Sequence, residues 1–354
     1  MNQSGHARNP TKGRLNRVIG TAAGVVVAGA LLGSGSAHAC PKLLLSDSTE
    51  IGKQTTAESA DYWGRTVGAQ GFLVNHVMWD WQTDVGIDPE SKLWRLTKTF
   101  QTLYSAAGAT DNFLKVAIYK RHSWQDAAAN TAVIANFAHA AALAKYAGFK
   151  GVALDLEPYV PIWGGEAGGP ELAPIVARNA QAIGRAMRDA YPDMTLILVG
   201  DALHWGRMRQ GYHGGYALAL PFLQALLSAR FPHVVIATEL TFEKPDIENL
   251  AQQVRREYDM FAKERNVPPT DLTVAPGIWP LGASYEDKSP RIPPEEFGRR
   301  LMQAFGSARD YVWIYGFGSA WQTAGPYGAA PVTANFQAYL KEVHETVSRC
   351  RGAR

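Results

Sequence analysis

The hydrophobic and polar positions of this chain switch repeatedly between two periods. Apolar runs of five to seven residues read as strands: Lys42–Ser46, Gly71–His76, Leu114–Tyr119, Gly151–Glu157, Thr195–Asp201, Val234–Glu239, Leu272–Ile278 and Tyr311–Phe317. Between them the apolar positions recur at helical spacing, over Thr55–Val67, Pro89–Ala107, Ala127–Ala147, Leu172–Ala190, Tyr216–Ala229, Asp246–Asn266, Pro294–Gly306 and Thr333–Arg349. Gly148, Pro192, Pro232 and Pro268-Pro269 punctuate the helix-to-strand joints. Strands alternating one-for-one with helices predict an α/β fold, a single (β/α)8 TIM barrel. An open doubly wound sheet is disfavoured, because no Gly-rich phosphate turn follows an early strand.

The N-terminus breaks this pattern. Arg8, Lys12, Arg14 and Arg17 precede an apolar stretch from Val18 to Leu32, and Ala37-His38-Ala39 has the small-x-small form of a cleavage site. Residues 1–39 are therefore expected to be a signal peptide and 40–354 the barrel catalytic domain. The apolar stretch is short for a membrane span. A lipidated Cys40 is the lesser alternative, since Ala37 stands where that signal usually has leucine. The expected location is outside the cytoplasm, secreted or periplasmic, with no membrane attachment after processing.

Charge changes the picture once the leader is set aside. The chain has 35 basic and 32 acidic residues; without the four basic residues of the leader the balance is 31 against 32. The basic excess belongs to the leader, and no basic face with interleaved aromatics suits nucleic acid. The two cysteines, Cys40 and Cys350, bracket the barrel and are expected to form a disulfide, as an even pair in an exported chain does.

A barrel of this kind carries its chemistry where strands end and loops begin. Asp155 and Glu157 end the fourth strand at i, i+2, so both point to one face. Glu239 ends the sixth strand after Val234-Val235-Ile236-Ala237-Thr238. Uncompensated charge is costly to bury, which makes these acids candidates for use rather than for packing. Seven of ten tryptophans, Trp79, Trp81, Trp124, Trp163, Trp205, Trp279 and Trp321, fall in strand-to-helix loops. Indole faces beside carboxylates suit sugar rings. Glycosidic cleavage needs two carboxyl groups: Glu157 is expected to donate the proton, its pKa raised by Asp155, and Glu239 to be the second carboxylate, with Asp80 and Asp201 in reserve. Trp79, Trp81, Trp163, Trp279 and Trp321 are expected to line subsites. Asn75, His76, Tyr119, Tyr315 and Gln322 are candidates for contacts with sugar hydroxyls. For Asp155 and Glu157 the structural alternative is a salt bridge to Lys120 or Arg121.

The segment Phe149–Tyr159, FKGVALDLEPY, resembles the fourth-strand D-x-x-D-x-D-x-E motif of family 18 chitinase-like barrels. Asp155 and Glu157 match its last two acids, while Lys150 and Ala153 occupy the earlier acidic positions. The same D-x-E is similar to the strand end of family 25 lysozyme-type enzymes. Leu156-Glu157-Pro158 resembles the N-E-P of the large retaining clan without its asparagine, and where that clan's second glutamate ends strand seven this chain has Pro276-Gly277-Ile278-Trp279. The resemblance implies a glycoside hydrolase of the broad class, with Glu157 as the acid, and assigns no family.

The expectation is a bacterial, monomeric glycoside hydrolase acting without a cofactor on a polysaccharide or cell-envelope glycan. One rival is a metal-dependent hydrolase using His76, His122, His204, Asp80 and Asp201, although no tight metal-ligand spacing occurs. Another is a barrel that binds carbohydrate and has lost catalysis. Serine chemistry lacks a G-x-S-x-G.

Overall fold

Eight parallel strands close into a barrel in the order in which they occur along the chain: β1 (Lys42–Glu50), β2 (Gly71–Met78), β3 (Phe113–Val116), β4 (Gly151–Asp155), β5 (Thr195–Val199), β6 (His233–Thr238), β7 (Asp271–Ile278) and β8 (Tyr311–Tyr315). The β1–β8 pair shuts the cylinder, with Leu44 opposite Trp313. The computed structural model describes residues 39–78, 80–163, 169–208, 216–242, 244–268, 270–280, 292–316 and 334–352, the side chains of 47–49, 76 and 334–335 excepted.

The helices between the strands are α1 (Ala57–Asp61, continued by a π-type turn over Tyr62–Thr66), α2 (Lys92–Ala106), α3 (Ala127–Ala147), α4 (Ala173–Ala190), α5 (Ala202–Met208), α6 (Ala219–Leu227), α7 (Ile247–Glu264), α8 (Pro294–Ser307) and α9 (Ala334–Gly352). The barrel predicted from the two periods is thus the fold observed. Two departures matter. The seven-residue α5 is absent from the sequence reading, because one amphipathic turn gives too short a periodic signal. β3 stops at Val116, although Ala117 and Ile118 remain buried. An apolar run reports burial and not strand pairing, so it overshoots.

Alternation along each strand divides the core in two. Leu44, Leu73, Phe113, Ala153, Ile197, Val235, Ala237, Ala275 and Trp313 point into the barrel. Their neighbours, such as Leu43, Phe72, Leu114, Val152, Leu196, Val234 and Val312, face the helices. The helix layer is set locally by caps. Asp126 accepts hydrogen bonds from the Ala128 and Ala129 N–H groups at the start of α3, and Gly148 ends it at φ 86°, a left-handed turn that favours glycine. Long and apolar as it is, α3 packs between α2 and α4.

At the N-terminal end of the barrel Lys42 Nζ lies 2.6 Å from Asp111 Oδ1, and Tyr311 donates its hydroxyl to Asp111 Oδ2 at 2.9 Å. Cys40 and Cys350 form a disulfide with their Cα atoms 5.8 Å apart, tying the entry of β1 to α9.

Candidate active site

At the opposite end, the inward positions turn polar. Asp155 continues the inward parity of Ala153 on β4, and Glu157 extends it two residues further. Glu239 does the same beyond Ala237 on β6. The barrel therefore brings together acids that the sequence places on two strands, β4 and β6, and the Glu157 and Glu239 carboxyls come close enough to act on each other's ionisation. Both are reached by solvent from the mouth while protein surrounds them on the other sides.

Each acid is held by its own surroundings. Asp155 is buried, and its Oδ1 accepts the Glu157 N–H at 3.1 Å. Its Oδ2 lies 3.2 Å from Lys115 Nζ and 3.1 Å from the Tyr159 hydroxyl. The partner of Asp155 is thus Lys115 on β3; Lys120 instead faces Asp80 at 3.7 Å. Tyr159 also donates to Glu157 Oε2 at 2.5 Å, the shorter of its two contacts, and its ring stacks on Tyr119 with centroids 4.4 Å apart. Gly200 lets Glu157 come this close: its φ is +89°, and a Cβ there would stand 2.7 Å from Glu157 Cγ.

Glu239 is placed by Asp201. The Asp201 Oδ2 accepts the N–H groups of Glu239 at 2.7 Å and Leu240 at 3.1 Å, while its other oxygen is buried with no hydrogen-bond partner among the described residues. Asp201 itself adopts φ 29° right after Gly200, so two successive left-handed residues turn its carboxyl toward the end of β6. Its role is to hold the backbone of Glu239.

Electrostatics distinguishes the two glutamates. Burial raises the Glu157 pKa and the Asp155 charge raises it further, while the Tyr159 hydroxyl, Lys115 and the bond to Glu239 pull it down. Glu239 is driven well above the usual carboxylate range by burial and by the charges of Glu157, Asp201 and Asp155. Burial also pushes Asp201 up to about 6, against hydrogen bonds from Thr238 and the two N–H groups. Burial and the neighbouring acids thus oppose ionisation of both glutamates, more strongly at Glu239.

The aromatic residues divide differently from the sequence expectation. Trp81 and Trp163 are fully buried, packed with Trp124, Phe137 and Phe222 in the helix layer at centroid distances of 4.8–6.3 Å. They do not line a subsite, because loops that fold back over the helices bury indoles as readily as a cleft displays them. Trp163 has another use: its Nε1 donates to Leu156 O at 2.8 Å, pinning the backbone next to Glu157. Inside the barrel Phe242, Trp279 and Trp313 are buried together and the half-buried Tyr315 packs on them, with Phe242 and Tyr315 stacked 5.6 Å apart. Gly277 admits that packing, since a Cβ on it would meet Phe242 and Trp313 at 2.6–2.7 Å.

Of the remaining candidates, Asn75 is buried on β2. Asp80 is buried too, and neither of its carboxyl oxygens accepts a hydrogen bond from the described residues. Trp79, Trp321 and Gln322, and the side chain of His76, lie outside the described residues. The histidines proposed for a metal are dispersed: His122 bonds Asn130 at 2.8 Å inside the tryptophan cluster, and His204 faces Glu257 at 3.1 Å. Among the described residues no three His, Cys, Asp or Glu side chains gather as metal ligands do. Lys115 and Tyr159 were missing from the sequence expectation. The signal for Lys115 was a lysine at an inward position of an otherwise apolar strand, which requires a buried partner.

No protein-family model matches the chain, and no curated protein is similar to it in sequence. Solved structures share its fold. A glucosidase from Croceicoccus marinus superposes with a TM-score of 0.52 at 15% identity, covering 88% of this chain and 68% of the other. GH5_18 from Streptomyces cattleya, solved in complex with GlcNAc, gives 0.52 at 11% identity over 90% and 82%. A GH18 chitinase from Pseudoalteromonas aurantia gives 0.48 at 12% identity over 86% and 99%. At such identities the likeness is one of architecture, a barrel of the kind on which these glycoside hydrolases are built.

Proposed function

We propose that the protein is an exported glycoside hydrolase that cleaves a polysaccharide or cell-envelope glycan with Glu157 and Glu239. The observation that carries this reading is the meeting of the Glu157 and Glu239 carboxyls at the C-terminal end of the barrel, each with its pKa raised, beside the half-buried Tyr315. The pairing of an acid and an anion is the equipment that glycosidic cleavage requires. The environment reverses the roles expected from the sequence. Glu239, pressed by three acids, keeps the proton; Glu157, which receives the Tyr159 hydroxyl and faces the Lys115 charge, is the anion.

In this reading Glu239 protonates the glycosidic oxygen as its bond to the anomeric carbon breaks, and the Glu157 carboxylate forms a bond to that carbon. Water then attacks the anomeric carbon, returns its proton to Glu239 and releases Glu157. Retaining carboxyls stand about 5–5.5 Å apart and inverting ones about 6.5–9.5 Å apart to admit a water; the direct attack proposed here belongs to the closer arrangement. Asp80, with its unused acceptors, is assigned to a sugar hydroxyl.

The test is release of reducing ends by the purified protein from bacterial, fungal and plant polysaccharides, with Glu157→Gln and Glu239→Gln alongside. The expected result is turnover by the parent and a loss of about 10²–10⁴-fold in each variant. Glycan binding without turnover, unchanged in both variants, would favour a carbohydrate-binding barrel instead.

A further inference from the structure

Lys115 is the one buried lysine or arginine among the described residues. It projects into the barrel from β3 with Phe113, and its register partner on β4 is Ala153, whose methyl leaves the bore free for a long side chain. From there its ammonium reaches Asp155 Oδ2, with the two side chains 8% and 1% exposed. Stability is a weak reason for such a pair, because an apolar pair of similar volume is often as stable or more so. The position of the pair in the network offers a better one.

The acids above Lys115 are arranged unevenly around it. Asp155 and Glu157 come from β4, Tyr159 from the loop after β4, Tyr119 from the loop after β3, Asp201 from the end of β5 and Glu239 from the end of β6. Lys115 grips Asp155. Asp155 in turn takes the Glu157 N–H, and Tyr159 spans Asp155 and Glu157. All of these donors serve the β4 side of the carboxyl pair. On the β6 side Asp201, another acid, holds the backbone of Glu239. At Glu157 the Tyr159 hydroxyl and the Lys115 charge thus oppose the charge of Asp155, whereas the charges acting on Glu239 are those of acids.

We propose that Lys115 is a positioning residue that, by offsetting the charge of Asp155, works with Tyr159 to keep Glu157 the anionic member of the pair and leaves the shared proton on Glu239. The inference deepens the hydrolase reading, and only its catalytic consequence rests on that reading; the location of the proton is a property of the folded protein.

Carbon-13 titration of the glutamate carboxyl carbons in the full chain tests it, with signals assigned through Glu157→Gln and Glu239→Gln. The expected order is Glu157 ionising at lower pH than Glu239. Lys115→Met leaves the Asp155 charge uncompensated, so the Glu157 midpoint should rise by about one pH unit. Lys115→Met with Asp155→Asn removes both charges. Because Asp155 acts on Glu157 more strongly than Lys115 does, the midpoint should then fall below that of the parent. The double variant buries neither charge, and its midpoint should lie above that of Asp155→Asn alone, which isolates the Lys115 contribution where the single Lys115 variant does not fold. A Glu157 midpoint that does not rise on Lys115→Met in either background, or Glu239 ionising first in the parent, overturns the proposal. Absence of turnover on every glycan would count against the hydrolase reading alone, since the titration reads the proton directly.

Discussion

At the N-terminal end of the barrel one buried acid, Asp111, meets Lys42, Tyr311 and Thr110; at the C-terminal end Asp155, Glu157, Glu239 and Asp201 crowd around Lys115. Burial pushes Asp111 up, but hydrogen bonds from Lys42, Thr110 and Tyr311 outweigh it and bring its pKa below the usual value. At the mouth the balance is reversed, and Glu157, Glu239 and Asp201 are all raised. Both ends bury carboxyls in the same cylinder. A satisfied acid closes the floor and stabilises it, whereas an excess of acids at the mouth costs stability and is retained for another reason. Perturbed groups in a cleft are where chemistry is to be sought.

The largest effect expected from this contrast is at Asp201. Asp201→Ala strips two N–H groups of their acceptor and frees the end of β6, and a misplaced Glu239 should reduce turnover by about 10²-fold. Asp201→Asn keeps an acceptor and should retain more activity. The asparagine variant also tests the pH sign. An acid raised to about 6 when folded, against about 3.9 when unfolded, contributes stability that is full below pH ~4 and lost as pH rises through about 6. The melting temperature of Asp201→Asn should therefore gain on that of the parent across this window. A parallel pair of curves would show that Asp201 does not titrate there.

The disulfide comes next. Cys40→Ser with Cys350→Ser opens a closure of 310 residues in sequence and should cost roughly 2–4 kcal/mol in denaturant unfolding, with turnover retained because the mouth is at the other end. Smallest is the floor itself. Asp111→Asn should cost roughly 1–3 kcal/mol and leave turnover intact. Its sign is opposite to that of Asp201: an acid lowered by folding contributes stability above about pH 4 that is lost as the pH falls through its folded value. Loss of activity in Asp111→Asn without loss of stability would break the division between floor and mouth.

The two tryptophan populations show where sequence reading reaches its limit. Trp81, Trp163 and Trp279 all follow strand ends. Trp81 and Trp163 are packed against Phe222 in the helix layer, while Trp279, also buried, packs against Phe242 and Tyr315 inside the barrel. Position in a loop does not say to which side the loop folds. Asp155 and Glu157, by contrast, were legible because strand parity is local: once Ala153 faces inward, they must as well. Lys115, missing from the sequence expectation, could have been found by the same rule, as a charge at an inward position of an apolar strand.

The sequence by itself determined the barrel, since alternating strand and helix periods recur eight times and each period depends only on neighbouring residues. It also determined which acids stand at strand ends and the cysteines that could meet. Only the tertiary structure decided that Glu157 and Glu239 come near each other, that Asp155 is paired to Lys115 and not to Lys120 or Arg121, and that burial raises both glutamates. The reason is physical: ionisation depends on burial and on charges brought close through space, and those distances exist only after β1 and β8 have joined.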